Sequence, residues 1–288
     1  MRILLLFIDG FGLGSNNPQE NPIIAANTVY IDKILKNKIG LMIPTDARLG
    51  IKGIPQSATG QTTLFTGINA AKVMGRHISG FPGPGLREII FKDNLFKSLK
   101  SRGKKVTFAN AYTRSYLNKF LAGDIKGSVT TNLVYSAGLD FRMTNFLIRG
   151  KAVYRDLTNK LIKEVDSRIP LIKPEEAAKN LIKIVEECDL TLYEYFQTDI
   201  VGHKQNLKEA VDIIIKLDKF IGKLIEELDF KQTLLIITSD HGNIEDLSIK
   251  PHTKNPVPTI LLGKKKEKLK SEISSIIDIT PAILKLFD

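Results

Sequence analysis

The chain has 288 residues, 43% of them hydrophobic and 25% charged, enough to bury a sizeable core as one large domain or one domain with an insertion. Forty-two Lys and Arg against 31 Asp and Glu leave a net charge of +11, which favours anionic partners without choosing among phosphorylated metabolites, nucleic acid and lipid headgroups. Cys188 is the only cysteine, so an internal disulfide is excluded and a reducing cytoplasmic setting is expected; no stretch approaches the roughly 20 apolar residues of a membrane span.

MRILLLFIDG opens the chain as a fully buried strand, because a continuous apolar run of this length suits the middle of a parallel sheet, and its end delivers Asp9 to the surface. The run is too short for a signal-peptide core and has no small-residue cleavage site. Gly10, Gly12 and Gly14 then permit a sharp turn. A helix is predicted over Asn27 to Leu35, and a second strand, KKVTFANAY from Lys104, follows the amphipathic segment NLFKSLKS. Pro174 opens a helix through EEAAKNLIKIVEEC, with two glutamates in the first turn where the dipole favours them. LTLYEYF is a strand running into Thr198 and Asp199. Leu207, Val211, Ile214, Leu217, Ile221, Leu224 and Leu228 recur at helical spacing and predict a long amphipathic helix. QTLLIIT is a strand ending at Ser239 and Asp240, VPTILLG a further strand, and IIDITPAILKLF a closing helix capped near Asp278 or Thr280. The alternation argues for an α/β fold: a doubly wound, mainly parallel sheet with helices on both faces. It breaks only between about residues 113 and 173, which is expected to be a small cap or lid within a single domain over residues 1–288. The KKKEKLK run from Lys264 is expected to be a solvated turn.

Asp9, the pair Asp199 and His203, and the pair Asp240 and His241 all fall at predicted C-terminal strand ends, the edge where open α/β sheets bind ligands; His252 lies in the loop PHTKNP just beyond. Singly, each has a bland explanation: Asp9 as a helix cap, DxxxH as a chance surface pair, DHGN as a turn. Jointly they involve three of the only four histidines, two of them with a nearby aspartate, and point to a metal centre for Zn or Mn, with Mg or Fe as alternatives. Within IPQSATGQTTLFTG, Ser57 is either a polar helix cap or a nucleophile at a helix start; the nearby metal ligands favour the nucleophile, since a cation lowers the hydroxyl pKa without an adjacent base. His77, flanked by Arg76 and Arg87, and more weakly Arg114, are candidate contacts for an anionic substrate, weighed evenly against a solvated Gly/Pro-rich loop.

These motifs together resemble the alkaline phosphatase superfamily, and within it the metalloenzyme branch of cofactor-independent phosphoglycerate mutase and phosphopentomutase. FIDGFG is similar to the segment with the first metal-binding aspartate, FQTDIVGH to the aspartate and histidine pair, ITSDHGN to the central ligand pair, and PHTKNPVPTILLG to the segment bearing the last histidine. The superfamily nucleophile precedes a Thr-Gly pair by nine residues, and counting back from Thr66 and Gly67 reaches Ser57. The resemblance implies an alkaline phosphatase-like fold and two divalent ions, one among Asp9, Ser57, Asp240 and His241, the other among Asp199, His203 and His252. It further implies a phosphomonoester hydrolase or phosphotransferase acting through a phosphoserine, with a phosphomutase or phosphodiesterase as alternatives. A sulfatase is disfavoured because SATGQ lacks the Pro and Arg of that motif. LIRGKAVYRDLTN and PLIKPEEAA resemble a smaller subgroup, and the large domain that phosphoglycerate mutases insert after the nucleophile has no counterpart of that size. The expected partner is a small phosphorylated substrate, not nucleic acid or a membrane; no oligomeric state is legible. With no Trp and scattered basic residues, a nucleic-acid surface is not expected.

Overall fold

The first strand, β1 (Arg2–Ile8), is apolar at nearly every position because both of its faces are covered. Ile3, Leu5 and Phe7 enter one core of 26 buried residues, while Leu4, Leu6 and Ile8 enter another of 32. This is the two-residue period of a strand sandwiched between two helical layers. Each fully buried side chain there contributes about 2 kcal/mol of apolar burial. The computed structural model describes all 288 residues.

Five further strands join β1: β2 (Leu41–Thr45), β3 (Val106–Phe108), β4 (Leu190–Tyr195), β5 (Thr233–Thr238) and β6 (Val257–Gly263), in the order β2-β6-β5-β1-β4-β3. β3, β4, β1 and β5 run parallel; β6 alone runs against them, and the edge strand β2, antiparallel to β6, points the same way as the parallel four. The sheet is therefore mainly parallel, as expected, with one strand the sequence pattern did not disclose. β2 is short and carries Pro44, which lacks an N–H and is tolerated at a sheet edge.

One face of the sheet is covered by two long helices, Pro174–Glu186 and Leu207–Glu227, through residues such as Leu181, Val185, Leu217 and Leu224. The opposite face is covered by Ser57–Thr66, here named α1, by Leu95–Ser101 and by Ile279–Leu284, among others. The closing segment differs from a single helix: a 3-10 turn, Ile276–Asp278, with a Ser275–Asp278 capping box, precedes the last helix. The helix expected over Asn27 to Leu35 begins at Tyr30, where the Asp218 carboxylate accepts from the backbone N–H groups of Val29, Tyr30 and Ile31.

Between 113 and 173 the chain forms short helices, Arg114–Ala122, Val129–Ser136, Asn145–Ile148 and Lys160–Lys163, with no strand among them. Val129, Leu133 and Val134 join the core shared with α1, while Leu147, Ala152, Tyr154, Ile162 and Ile169 form a small cluster of their own. No helix is long and apolar enough to cross a membrane.

Because β5, β1 and β4 are adjacent and parallel, their C-terminal ends open side by side at one edge, roughly 4.8 Å apart. Asp9 leaves β1, Ser239 and Asp240 leave β5, and Gln197–Gly202, which carries Asp199, follows β4.

Candidate metal centre

That edge gathers all seven residues singled out as Ser57 and its metal ligands. Ser57 is the first residue of α1; Gln56 occupies the cap position, so the Ser57 hydroxyl does not cap its own helix. It instead meets His241 Nε2 at 2.9 Å. The same nitrogen lies 3.3 Å from Asp9 Oδ1 and 3.5 Å from Asp240 Oδ2. Gly60 permits this approach of helix to strand end, since a Cβ there would meet the Asp240 carbonyl at 2.9 Å.

A second group surrounds Asp199. His252 Nε2 is 3.4 Å from Asp199 Oδ1, His203 Nε2 is 3.5 Å from Asp199 Oδ2, and the two Nε2 atoms are 3.0 Å apart. The groups touch, because the His241 and His252 rings stack with centroids 3.7 Å apart. Ligand atoms of Asp9, Asp240 and His241, and likewise of Asp199, His241 and His252, lie within 4.8 Å of one another.

The backbone fixes how the imidazoles face. His241 Nδ1 lies 3.3 Å from the Gly242 carbonyl and His252 Nδ1 lies 3.0 Å from the Pro55 carbonyl. A carbonyl only accepts, so Nδ1 carries a proton in each ring, which leaves Nε2 as the nitrogen that would bind a metal once it has given up its own proton. Asp9 Oδ1 and Asp240 Oδ2 are buried without a hydrogen-bond partner, which is costly for carboxylate oxygens unless a cation satisfies them. The donor set of imidazole nitrogens, carboxylates and a hydroxyl therefore fits divalent ions such as Zn or Mn.

Electrostatics agree with the geometry. Burial, and then the charge of Asp240, push Asp9 up to about 8, with His241 pulling the other way. Asp240 is raised as well, chiefly by burial. Burial opposes charge on His241, yet Asp240 and Asp9 together push it up to about 10. Burial alone would raise Asp199, but the His252 hydrogen bond, His241 and Asn243 hold it below the usual carboxylate range. Such crowding of buried carboxylates calls for positive charge, and a bound cation reverses these shifts.

A family model described as the metalloenzyme superfamily matches residues 1–288. The chain belongs to the metalloenzyme superfamily. Among its curated relatives, the 2,3-bisphosphoglycerate-independent phosphoglycerate mutase of Desulforudis audaxviator is 26% identical over 153 residues, covering 49% of this chain and 30% of the mutase. The chain spans less than a third of the length of such relatives. Among solved structures, PH0037 protein from Pyrococcus horikoshii superposes with a TM-score of 0.62 at 16% identity, covering 99% of this chain and 96% of that one. The alkaline phosphatase of the Antarctic bacterium TAB5 superposes with a TM-score of 0.59 at 13% identity, covering 99% and 97%. These likenesses establish an alkaline phosphatase-like fold.

Beside these candidate ligands, this metalloenzyme has a cavity of about 550 Å³ lined by Asp9, Ser57 and Asp199 and by residues of the 113–173 region. Arg76, His77, Arg87 and Arg114 are not among its lining residues. Arg76, Arg87 and Arg114 are exposed, with Arg87 over the Phe91 ring, and His77 packs near Gly53. The arginine that does line the cavity is Arg155, which lies in the irregular region where no periodicity marks it.

Other residues of the centre went unmarked in the sequence although signals existed. Gln61 donates to Asp9 Oδ2 at 3.0 Å and stands one helical turn after Ser57. Asn243, within DHGN, donates to Asp199 Oδ1 at 2.6 Å. Glu245, two residues on, accepts from Gly12 N at 3.0 Å, Asn243 N at 2.7 Å, Asn255 Nδ2 at 3.1 Å and the Thr253 hydroxyl, so it ties the loop after β1 to the His252 loop. Glu194 is a lone acid in the otherwise uncharged strand β4; it accepts from Thr130 Oγ1 at 2.6 Å, and burial pushes it up to about 8.

Proposed function

We propose that this metalloenzyme is a phosphomonoester hydrolase or phosphotransferase in which Ser57 is the nucleophile and carries the phosphoryl group between two half-reactions. One observation carries the reading: Ser57 Oγ, Asp9 Oδ1 and Asp240 Oδ2 converge on the same nitrogen, His241 Nε2. In a serine–histidine–aspartate relay the carboxylate holds the far ring nitrogen and the serine the near one. Here the far nitrogen faces a backbone carbonyl, so the arrangement is a coordination set rather than a relay.

Two divalent ions, one held by Asp9, Ser57, Asp240 and His241 and the other by Asp199, His203 and His252, would supply Lewis acidity that lowers the pKa of a hydroxyl or water and offsets phosphoryl charge. The chain's own residues do the rest. Asp9 and Asp240 take up the positive charge near Ser57, and Gln61 fixes the orientation of the Asp9 carboxylate. Ser57 opens a ten-residue helix, whose N-terminal end favours the incoming phosphate. Ser57 Oγ gives up its proton to solvent and forms a bond to phosphorus as the bond from phosphorus to the ester oxygen breaks; the departing oxygen takes up a proton from solvent to become the alcohol. Water, or an acceptor hydroxyl, then attacks the phosphoserine in line and restores Ser57. Arg155 replaces the four residues singled out in the sequence as the cation that meets the anionic substrate.

The test is phosphate release from alkyl phosphomonoesters with Mn or Zn, comparing the wild type with Ser57→Ala. Turnover falls on the order of a thousand-fold or more, and mass spectrometry of quenched wild-type enzyme finds phosphate on the Ser57 peptide. Retained turnover in Ser57→Ala contradicts the assignment. Products separate the alternatives: inorganic phosphate for a hydrolase, a new ester for a transferase, an isomerised ester for a mutase, and cleavage of diesters for a diesterase.

A further inference from the structure

The cavity beside Ser57 has two kinds of wall. Phe81, Phe108, Tyr112, Tyr116, Tyr154 and Phe196 supply aromatic surface. Most of the polar groups around them are already engaged. Tyr112 and Tyr116 both direct their hydroxyls to Thr131 Oγ1, at 3.2 and 3.1 Å, and Ser128 Oγ meets the same oxygen at 2.8 Å. Asn110 exchanges both of its amide hydrogen bonds with the backbone of Glu194, at 2.7 and 2.9 Å. Gln61 is committed to Asp9.

A sugar or polyol entering this space would leave its water behind and find few free donors or acceptors, a loss of about 1–3 kcal/mol for each unpaired group. A flat apolar ring meets no such penalty and gains by stacking. The only Lys, Arg or His side chain on the lining is Arg155. Its guanidinium lies 5.5 Å from the Phe196 ring centre and 6.0 Å from that of Tyr154; none of the chain's ion pairs includes it, and its Nε is buried without a partner. The guanidinium thus lies beside two aromatic rings with charge left for an anion.

We infer that this cavity selects phosphomonoesters whose leaving group carries an aromatic ring, which packs against the tyrosine and phenylalanine wall while Arg155 pairs with an anionic oxygen of the same substrate. The inference rests on the Ser57 chemistry proposed above and names the substrate class of that site. A nucleobase and a simple aryl group share the required chemistry, and a cavity of about 550 Å³ has the size of an ordinary small-ligand site.

The test compares four esters of alcohols, so that ring content rather than leaving-group acidity decides: 2-phenylethyl phosphate and a nucleoside 5′-monophosphate against butyl phosphate and glycerol phosphate. For the metal-loaded enzyme, kcat/KM is expected to be at least about tenfold higher for a ring-bearing ester, and the better of the two identifies the ring. Tyr116→Leu is expected to lower that ratio several-fold; because both rates come from one preparation, the ratio does not depend on how much of the variant folds. Binding gives a separate readout: calorimetry of metal-loaded Ser57→Ala is expected to find benzylphosphonate at least tenfold tighter than methylphosphonate. Equal kcat/KM for ring-bearing and ring-free esters, or equal phosphonate affinities, overturns the inference and leaves the Ser57 chemistry standing. Absence of all turnover with the phosphonate preference intact supports the cavity assignment and overturns the Ser57 reading.

Discussion

At His241 the ring is held through one nitrogen and used through the other. The Gly242 carbonyl accepts a hydrogen bond from Nδ1–H, so Nε2 is left to Ser57, Asp9 and Asp240. That these residues would gather at one sheet edge was legible because each follows an apolar strand or sits in a short polar motif with a partner nearby, as in Asp199 and His203. Arg155 was not, since nothing in an irregular segment says which way a side chain faces. Glu194 shows the same limit from another side: its charge in a buried strand is visible, but its Thr130 partner comes from a helix 64 residues away. Its folded pKa, about 8, lies above the ordinary 4.5, so between those values the folded chain retains a proton that the unfolded chain has released. Stability contributed by Glu194 is therefore full below about 4.5 and is lost as pH rises toward 8, at up to about 1.4 kcal/mol per pH unit. Asp9 acts in the same direction, so the comparison must be with a variant. Urea unfolding of the metal-free chain at pH 5 and pH 8 should show a smaller loss for Glu194→Gln than for the wild type; an equal loss contradicts the buried, protonated state.

At the scale of elements, β1, β4 and β5 were readable because strands covered on both faces have no polar alternation to confuse them with loops. β2 was not: five residues with a proline in fourth place at a sheet edge carry little pattern of their own, and pairing with β6 decides their state. That edge is fastened by a chain of buried hydroxyls. Thr45 Oγ1 meets Thr259 Oγ1 at 2.8 Å, and Thr259 Oγ1 meets Thr238 Oγ1 at 3.0 Å, linking β2, β6 and β5. Thr259→Val keeps the shape and removes the central hydroxyl, leaving Thr238 without this partner. A destabilisation of about 1–2 kcal/mol is expected in denaturant melts. No change would mean that the hydroxyl chain contributes nothing to holding β2 and β6 against β5.

Across the whole molecule, the candidate metal centre draws on segments that begin near residues 9, 57, 199, 240 and 252, so ions held there would tie distant parts of the chain to one sheet edge. Ions that bind only the folded arrangement stabilise it by mass action, about 2.7 kcal/mol at a hundredfold excess over Kd. Chelation should therefore lower Tm by roughly 5–10 °C, restored on adding Zn or Mn, and an unchanged melting curve would separate the fold from its ions. The lysines and arginines that make the net charge +11 lie mostly outside the cavity, where Arg155 alone faces the site. The most direct measurement is an anomalous difference map from crystals grown with Mn or Zn. Two peaks per chain are predicted, one among Asp9, Ser57, Asp240 and His241 and one among Asp199, His203 and His252. No peak at that edge, with those side chains turned apart, would contradict the account.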